Sequence, residues 1–359
     1  MRAVLLALLM LFPQILFAGT PIFSQEKIGN EPVVKILYNR GDDGNLSREQ
    51  FFELVENLEK QLTNEIGVPA KQGRSSKKNA LNDELFWQWQ WKNGAARLQA
   101  GFTKSNNDFR SEYIRVIFAK NEDALELGGA RDTAKRRDIK ENHLVIAAKG
   151  KRVYIKDIPM VDQGQKGYCL PAAVARIFAL YGMESVDQHA LAAVCDSSSD
   201  KGTSTLAMEN ALGEISKKFH VKLEILDGND FDWLKDYNKI ARKKRVPELS
   251  LPNLAIAEPN ILREARANKR QVKKWMNEIR KTIKNGVPVL WSVTLGIYPE
   301  SVPLPQTRGG HMRLIIGYDD VAGTILFSDT WGKGHELKSI KQADACAMTF
   351  RCYSLKPTR

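Results

Sequence analysis

Three apolar runs near the C-terminal end, "VPVLWSV" (287–293), "HMRLIIGYDD" (311–320) and "TILFSDTW" (324–331), limit the fold more than any other feature of this chain. Short apolar runs bounded by turn signals suit strands covered on both faces, so helices have to supply the cover. Upstream, residues 169–181 and 205–219 have helical apolar spacing, and "VKLEIL" (221–226) has the character of a strand. "RQVKKWMNEIRKTIKNG" (270–286) sets Val272, Trp275, Met276, Ile279 and Ile283 on one helical stripe, with a basic opposite face that suits either an anionic surface or, as such faces more often do, plain solvent. Residues 228–260 are rich in Lys, Arg, Asn and Pro with weak periodicity, as an insertion or flap would be. "CAMTFRCYSL" (346–355) closes the chain as a further strand-like run. Helices followed by strands is an α+β order, expected over residues 143–359 and opened by a hairpin in "HLVIAAKGKRVYIKDI".

Residues 19–120 are expected to form a second, smaller α+β domain. Phe52, Leu54, Val55, Leu58, Leu62 and Ile66 repeat at helical spacing, with Ser47 as a cap and Gly67 as a stop. After the loop "KQGRSSKKN" come three strand-like runs, the first two joined at Asn93-Gly94 as a hairpin. Trp87, Trp89 and Trp91 alternate and so share one strand face. That face suits either sugar stacking or packing under the helix, and a half-buried sheet favours packing. Residues 121–142, with "GGARDTAKRRDIKEN", have the composition of a linker.

The opening "MRAVLLALLMLFPQILFAGT" has one positive charge, a short apolar run broken by Pro13, and small residues at Ala18 and Gly19. This is the pattern of a signal peptide over residues 1–18, so export to the periplasm or medium is expected. No later segment is apolar enough to cross a bilayer. The net charge of +12 falls by one when Arg2 leaves with the leader. Such an excess favours anionic partners such as phospholipid head groups, wall polymers or acidic proteins, although the basic residues are dispersed as simple solubility requires. Nucleic acid is not expected as a partner of an exported chain. Four cysteines, Cys169, Cys195, Cys346 and Cys352, are too few for a disulfide framework. Cys346 and Cys352 on one strand would share a face about 20 Å apart, and would bridge each other only if the chain turned between them. The Cys and His residues lack the close pairs of a zinc site, and no phosphate-cradling glycine loop is present, so neither metal nor cofactor is expected.

The chemistry concentrates in "QGQKGYCLPAAVARIFALYG" (163–182). A nucleophilic thiol needs its pKa lowered by a helix N-terminus and a neighbouring imidazolium. Cys169 opens a helix in which Pro171 fits the first turn and Gly182 the stop. Acyl transfer also needs donors for a developing oxyanion. The Cys169 amide is one candidate, and the Gln163 side chain, returned by the loop with Gly164 and Gly167, is the other. Of five histidines, His311 follows a Gly pair into an apolar strand, and Asp329 stands eighteen residues later on the next. Antiparallel pairing around "DDVAG" would set Asp329 beside His311 to orient the ring, with Trp331 as a cover. His189 and His335 are the substitute bases.

Gln163, Cys169 at a helix start, a Gly-His strand and "DTWG" together resemble the papain-like cysteine peptidases, with their Gln, Cys, His and Asn and their "NSWG". The wording is closer to the bacterial branch that includes the double-glycine leader peptidases, over roughly residues 155 to 335. The resemblance implies a papain-like fold, a peptide or protein substrate, and a Cys169–His311–Asp329 triad with Gln163 in the oxyanion hole. Asp329 replaces the papain Asn, which adds negative charge beside the imidazole. These residues contain no transporter pattern, so leader processing is not the expected substrate role, and the N-terminal unit would serve as a propeptide, a cover or a binding module. The alternatives are another thiol acyl transferase or amidase acting on a wall polymer, or a non-catalytic binding protein of the same fold.

Overall fold

The apolar runs at the end of the chain become the centre of an antiparallel sheet. The computed structural model describes residues 21–23, 28, 32–75, 82–103, 109–125, 136–164, 167–183, 186, 188–195, 205–227, 233–300, 302–306 and 308–358. The expected leader, residues 1–18, lies outside them. The chain divides into two compact α+β units, Met1–Glu126 and Leu127–Arg359.

In the first unit, strands β1 (Val33–Asn39), β2 (Lys71–Ser75), β3 (Asn82–Trp91), β4 (Gly94–Thr103) and β5 (Ser111–Ala119) form an antiparallel sheet in the order β1-β5-β4-β3-β2. Helix α1 (Arg48–Ile66) starts in a capping box: Gln50 N–H donates to Ser47 Oγ, and Ser47 N–H donates to Gln50 Oε1. Its buried Phe51, Val55, Leu58 and Leu62 repeat at helical spacing and share one core with Trp89, Leu98, Ile114 and Val116 of the sheet. Burying each such side chain is worth roughly 1.5–3 kcal/mol. The tryptophan alternation is explained by packing, since Trp89 is fully buried and its Nε1–H donates to Thr63 Oγ1 of α1 at 3.0 Å. The first half of the expected loop "KQGRSSKKN" is strand β2, paired with β3. Its basic, Gly-containing sequence suits an edge strand, where charge discourages further pairing.

In the second unit the expected linker ends in structure: α2 (Arg136–His143) buries Ile139 in the same core as the strands that follow. β6 (Leu144–Ala147) and β7 (Arg152–Ile155) form the expected hairpin. Helices α3 (Cys169–Leu180), α4 (Gln188–Cys195) and α5 (Thr205–Lys218) precede β8 (Val221–Asp227). The expected flap is largely ordered helix. Trp233, Tyr237 and Ala241 of α6 (Trp233–Lys244) are buried, a 3-10 turn at Leu254–Ile256 follows, and α7 (Pro259–Arg266) opens with Pro. Residues 228–232 lie outside the described set. The apolar stripe of α6 was obscured by its Lys-rich exposed face. After α8 (Lys269–Lys284) come β9 (Val289–Leu295), β10 (Gly309–Asp319), β11 (Thr324–Ser328), β12 (Lys338–Lys341), helix α9 (Gln342–Met348) and β13 (Thr349–Pro357). The sheet runs β12-β11-β10-β9-β13-β8, with β7 also paired to β10. Cys346 therefore lies in α9 and Cys352 in β13, correcting the expected single strand. The apolar "CAM" suited either state, and Thr349 Oγ1, which donates to Ala345 O at 2.7 Å, marks the end of the helical turn.

β10 can accept β7 beside it because Gly317 faces Tyr154 there: a Cβ on Gly317 would sit 2.4 Å from Tyr154 Cβ and 2.6 Å from the Val153 oxygen. Both neighbours are held in the sheet and cannot retreat cheaply. We expect Gly317→Ala to destabilise the second unit by about 2 kcal/mol, measured as a lower urea midpoint with an unchanged slope.

Candidate active site

Cys169 is the first residue of α3, and Tyr168 at the cap position makes no side-chain cap bond. The helix therefore presents its first-turn N–H groups and the positive end of its dipole to the sulfur. Pro171, which has no N–H, costs nothing in this turn. Cys169 is densely surrounded yet keeps part of its surface open, whereas Cys195, Cys346 and Cys352 are buried.

The candidate base comes from the sheet. Leu314 of β10 pairs with Ser328 of β11, so the residue after β11, Asp329, falls opposite Arg313 and diagonal to His311. His311 and Arg313 are two residues apart on a strand and share a face. The His311 ring places Nε2 3.1 Å from Asp329 Oδ1, and both side chains are fully buried. The Nδ1 edge makes no hydrogen bond of ordinary geometry. Its electrostatic partner is the Cys169 thiol, and such contacts in unliganded sites are often long, tightening only around substrate. Trp331 stacks on the ring, with centroids 4.1 Å apart and planes at 5°. His311, not His189 or His335, is the imidazole on the carboxylate. The ring of His335 lies edge-on to Trp331 at 5.8 Å, and its backbone oxygen accepts from Asp329 N–H.

Gln163 reaches the site through the segment that follows β7. Its N–H donates to Thr330 O at 2.8 Å, and its side-chain Oε1 accepts from Thr330 Oγ1 at 2.5 Å. This contact orients the amide, whose NH₂ is its only donating group. Gly332 makes the close approach possible: it sits at φ +70°, and a Cβ there would lie 2.3 Å from Asp162 Oδ2. The Asp-Thr-Trp-Gly loop therefore contacts two of the other expected site residues, His311 through Asp329 and Trp331, and Gln163 through Thr330.

Four further residues build the site; Arg176 and Arg313 gave a faint signal as lone charges inside apolar runs, and Glu300 and Lys338 gave none. Arg176, seven residues after Cys169 on the same helix face, is almost wholly buried. Its guanidinium donates to Asp329 O at 2.6 Å, Ser328 Oγ at 2.6 Å and Pro159 O at 2.8 Å, tying the helix to the end of β11. Burial lowers its pKa to about 10 against the opposing charges of Asp329 and Glu336. Arg313 Nε and Lys338 Nζ lie 2.8 and 2.9 Å from the Asp329 carboxylate, and both also reach Glu300, each at 2.7 Å.

The electrostatics favour an ion pair. Burial alone would raise the Cys169 thiol, but the hydrogen bond and charge of His311, with backbone bonds from Met312 and Leu170, bring it below its ordinary value. Burial alone would lower His311, and the bonds to Asp329 and Cys169 bring it above. Burial opposes ionisation of Asp329, yet His311, Arg313 and Lys338 hold it well below the usual carboxylate range. Among the described residues no cluster of His, Cys, Asp and Glu could hold a metal ion, and no helix is long and apolar enough to cross a membrane.

A cleft of about 530 Å³ adjoins the ends of β9 and β10, lined by Leu249, Ala255, Ala257, Gly296, Ile297 and Arg308 among others. Arg308 precedes His311 by three residues.

A model described as the Peptidase_C39 like family matches residues 256–353. This stretch contains His311 and Asp329 and does not include Cys169 or Gln163. The match relates the chain to the papain-like cysteine peptidases, on the side of the C39 bacteriocin-processing enzymes, and supports a peptidase-type function acting on peptide or protein. No curated protein matches the chain.

The thiolate is lost as pH falls through the lowered thiol value, and the imidazolium is lost as pH rises through its raised value. The pair therefore occupies the window between them. Iodoacetamide is expected to modify Cys169 at about pH 6.5, well below the range of an ordinary thiol, while the three buried cysteines react only after unfolding. Peptide mapping of the alkylated protein reads the result.

Proposed function

We propose that this chain is an exported cysteine peptidase with a papain-like second domain, preceded by a small α+β domain. The observation that carries the reading is the His311 ring, held on Asp329 and under Trp331 with its other nitrogen towards a thiol at a helix start.

Cys169 Sγ, as thiolate, adds to the scissile carbonyl carbon, and the carbonyl π electrons move to the oxygen. The oxyanion is met by the Cys169 backbone N–H and the Gln163 NH₂, whose orientation is fixed by Thr330. His311 donates its Nδ1 proton to the leaving nitrogen, the C–N bond breaks, and an S-acyl enzyme remains. Water then gives a proton to His311 and its oxygen to the acyl carbon. Collapse of that second tetrahedral species releases the acid and restores the ion pair. Asp329 keeps the ring in register without itself taking up a proton. The cleft beside Gly296, Ile297 and Arg308, at the ends of β9 and β10, is the proposed seat of part of the substrate chain.

Export by cleavage near Ala18 belongs to the same reading, and amino-terminal sequencing of the secreted protein tests it. With a diverse peptide pool, mass spectrometry is expected to show products for the wild type and none for Cys169→Ala, and equal product profiles would count against the peptidase. On a cleaved peptide, Gln163→Ala is expected to lower kcat about 100-fold or more, the cost of losing one oxyanion donor, with KM little changed. Ala255→Trp, on an exposed wall of the cleft, is expected to raise KM severalfold and leave kcat near that of the wild type.

A further inference from the structure

The acid of this site is a carboxylate, and a carboxylate beside an imidazole brings a full negative charge that an amide in the same place would not. Left uncompensated, that charge would favour imidazolium so strongly that the ring would become a poor proton donor to a leaving group. The surroundings of Asp329 answer this. Arg313 lies on Oδ1 at 2.8 Å and Lys338 on Oδ2 at 2.9 Å. The same two cations share Glu300, whose Oε1 is 2.7 Å from Arg313 Nη2 and whose Oε2 is 2.7 Å from Lys338 Nζ. The side chains of Arg313, Lys338 and Glu300 are 0%, 1% and 5% exposed, so solvent screens this arrangement little. Two carboxylates and two cations form a closed ring with no formal charge.

Resting on the peptidase reading, we propose that Arg313, Lys338 and Glu300 are positioning residues that cancel the charge of Asp329, so that the carboxylate orients His311 as a neutral amide would and leaves the ring able to give up its proton. Each comes from a different segment: Arg313 from β10, Lys338 from β12, and Glu300 from the connection between β9 and β10. The other titratable groups around the ring are few. Cys169 of α3 faces Nδ1, and Trp331 covers one ring face with His335 beyond it. Arg176 of α3 binds the backbone oxygen of Asp329, with Glu336 acting on its charge. None of these bonds to Glu300, Arg313 or Lys338 in a way that would duplicate the compensation.

The test follows the sign of each charge. The full chain is labelled with 13C at histidine Cε1, the His311 resonance is assigned by its absence in His311→Gln, and its loss of a proton is followed against pH. Lys338→Met removes a cation and is expected to raise the midpoint by on the order of one pH unit. Glu300→Gln removes an anion and is expected to lower it by a similar amount, and the double variant is expected to titrate near the wild type. Single variants that move the midpoint in the same direction, or leave it unmoved in a protein with the circular dichroism and melting behaviour of the wild type, overturn the proposal. Should the single variants fail to fold, Asp329→Asn is compared with Asp329→Asn/Lys338→Met. Asparagine alone leaves a surplus cation beside the ring. Deleting Lys338 as well is expected to restore the imidazolium and the alkylation of Cys169 at about pH 7, and the absence of any restoration sinks the idea. These readouts need no substrate. Opposite shifts without peptide cleavage would retire the peptidase and keep the charge ring, and cleavage without shifts would do the reverse.

Discussion

The second unit is organised around one buried carboxylate. Asp329 stands just past the end of β11, with no exposed surface, where an isolated anion would be far too costly to keep. It persists because every polar atom of the residue is engaged: the carboxylate by His311, Arg313 and Lys338, the backbone oxygen by Arg176, and the backbone nitrogen by His335 O. The helix with the thiol, the strand with the imidazole and the loop with the stacking indole are thereby fixed to a single residue. Positioning and electrostatics are not separable here, because the bonds that hold the ring also set its affinity for a proton.

Packing around this centre is equally committed. Trp291 of β9 is fully buried with its Nε1–H on Thr349 Oγ1 of β13 at 2.8 Å, and Phe327 lies edge-on to it at 5.5 Å while receiving the Arg313 guanidinium on its face at 4.8 Å. A planar cation between an aromatic face and two carboxylates loses less side-chain freedom than a lysine would. At the other end of α3, Tyr181 donates to Leu355 O at 2.7 Å, so the helix is held at both ends. Cys169 and His311 are thus carried on elements with little room to shift.

Much of this could be seen in the residues alone, for definite reasons. The apolar runs at β9, β10 and β11, the α3 helix and the Asn-Gly hairpin follow from periodicity and turn chemistry, which act locally. The juxtaposition of His311 and Asp329 followed from one short turn between antiparallel strands. What periodicity could not supply was anything decided by distant partners. The stripe of α6 was hidden among lysines, "KQGRS" became a strand only because β3 offered an edge, and Cys346 entered a helix because the chain turns before β13. The polar supports were invisible for the same reason. Arg176 and Arg313 look like interruptions of apolar segments, and Glu300 sits in a Pro-rich connection with no pattern at all. Only their mutual distances give them meaning.

The ties that Arg176 and Thr330 make span 153 and 167 positions of sequence. Contacts between such remote positions form late, because the entropy of closing so long a stretch is lost before any of them rewards it. Until β11 has docked, the sulfur at residue 169 has no imidazole beside it and behaves as any cysteine does on an unstructured chain. A polypeptide still emerging from synthesis, or cut short before residue 329, therefore lacks the contacts that bring this thiol below its ordinary value, and gains them only when the last strands close the sheet.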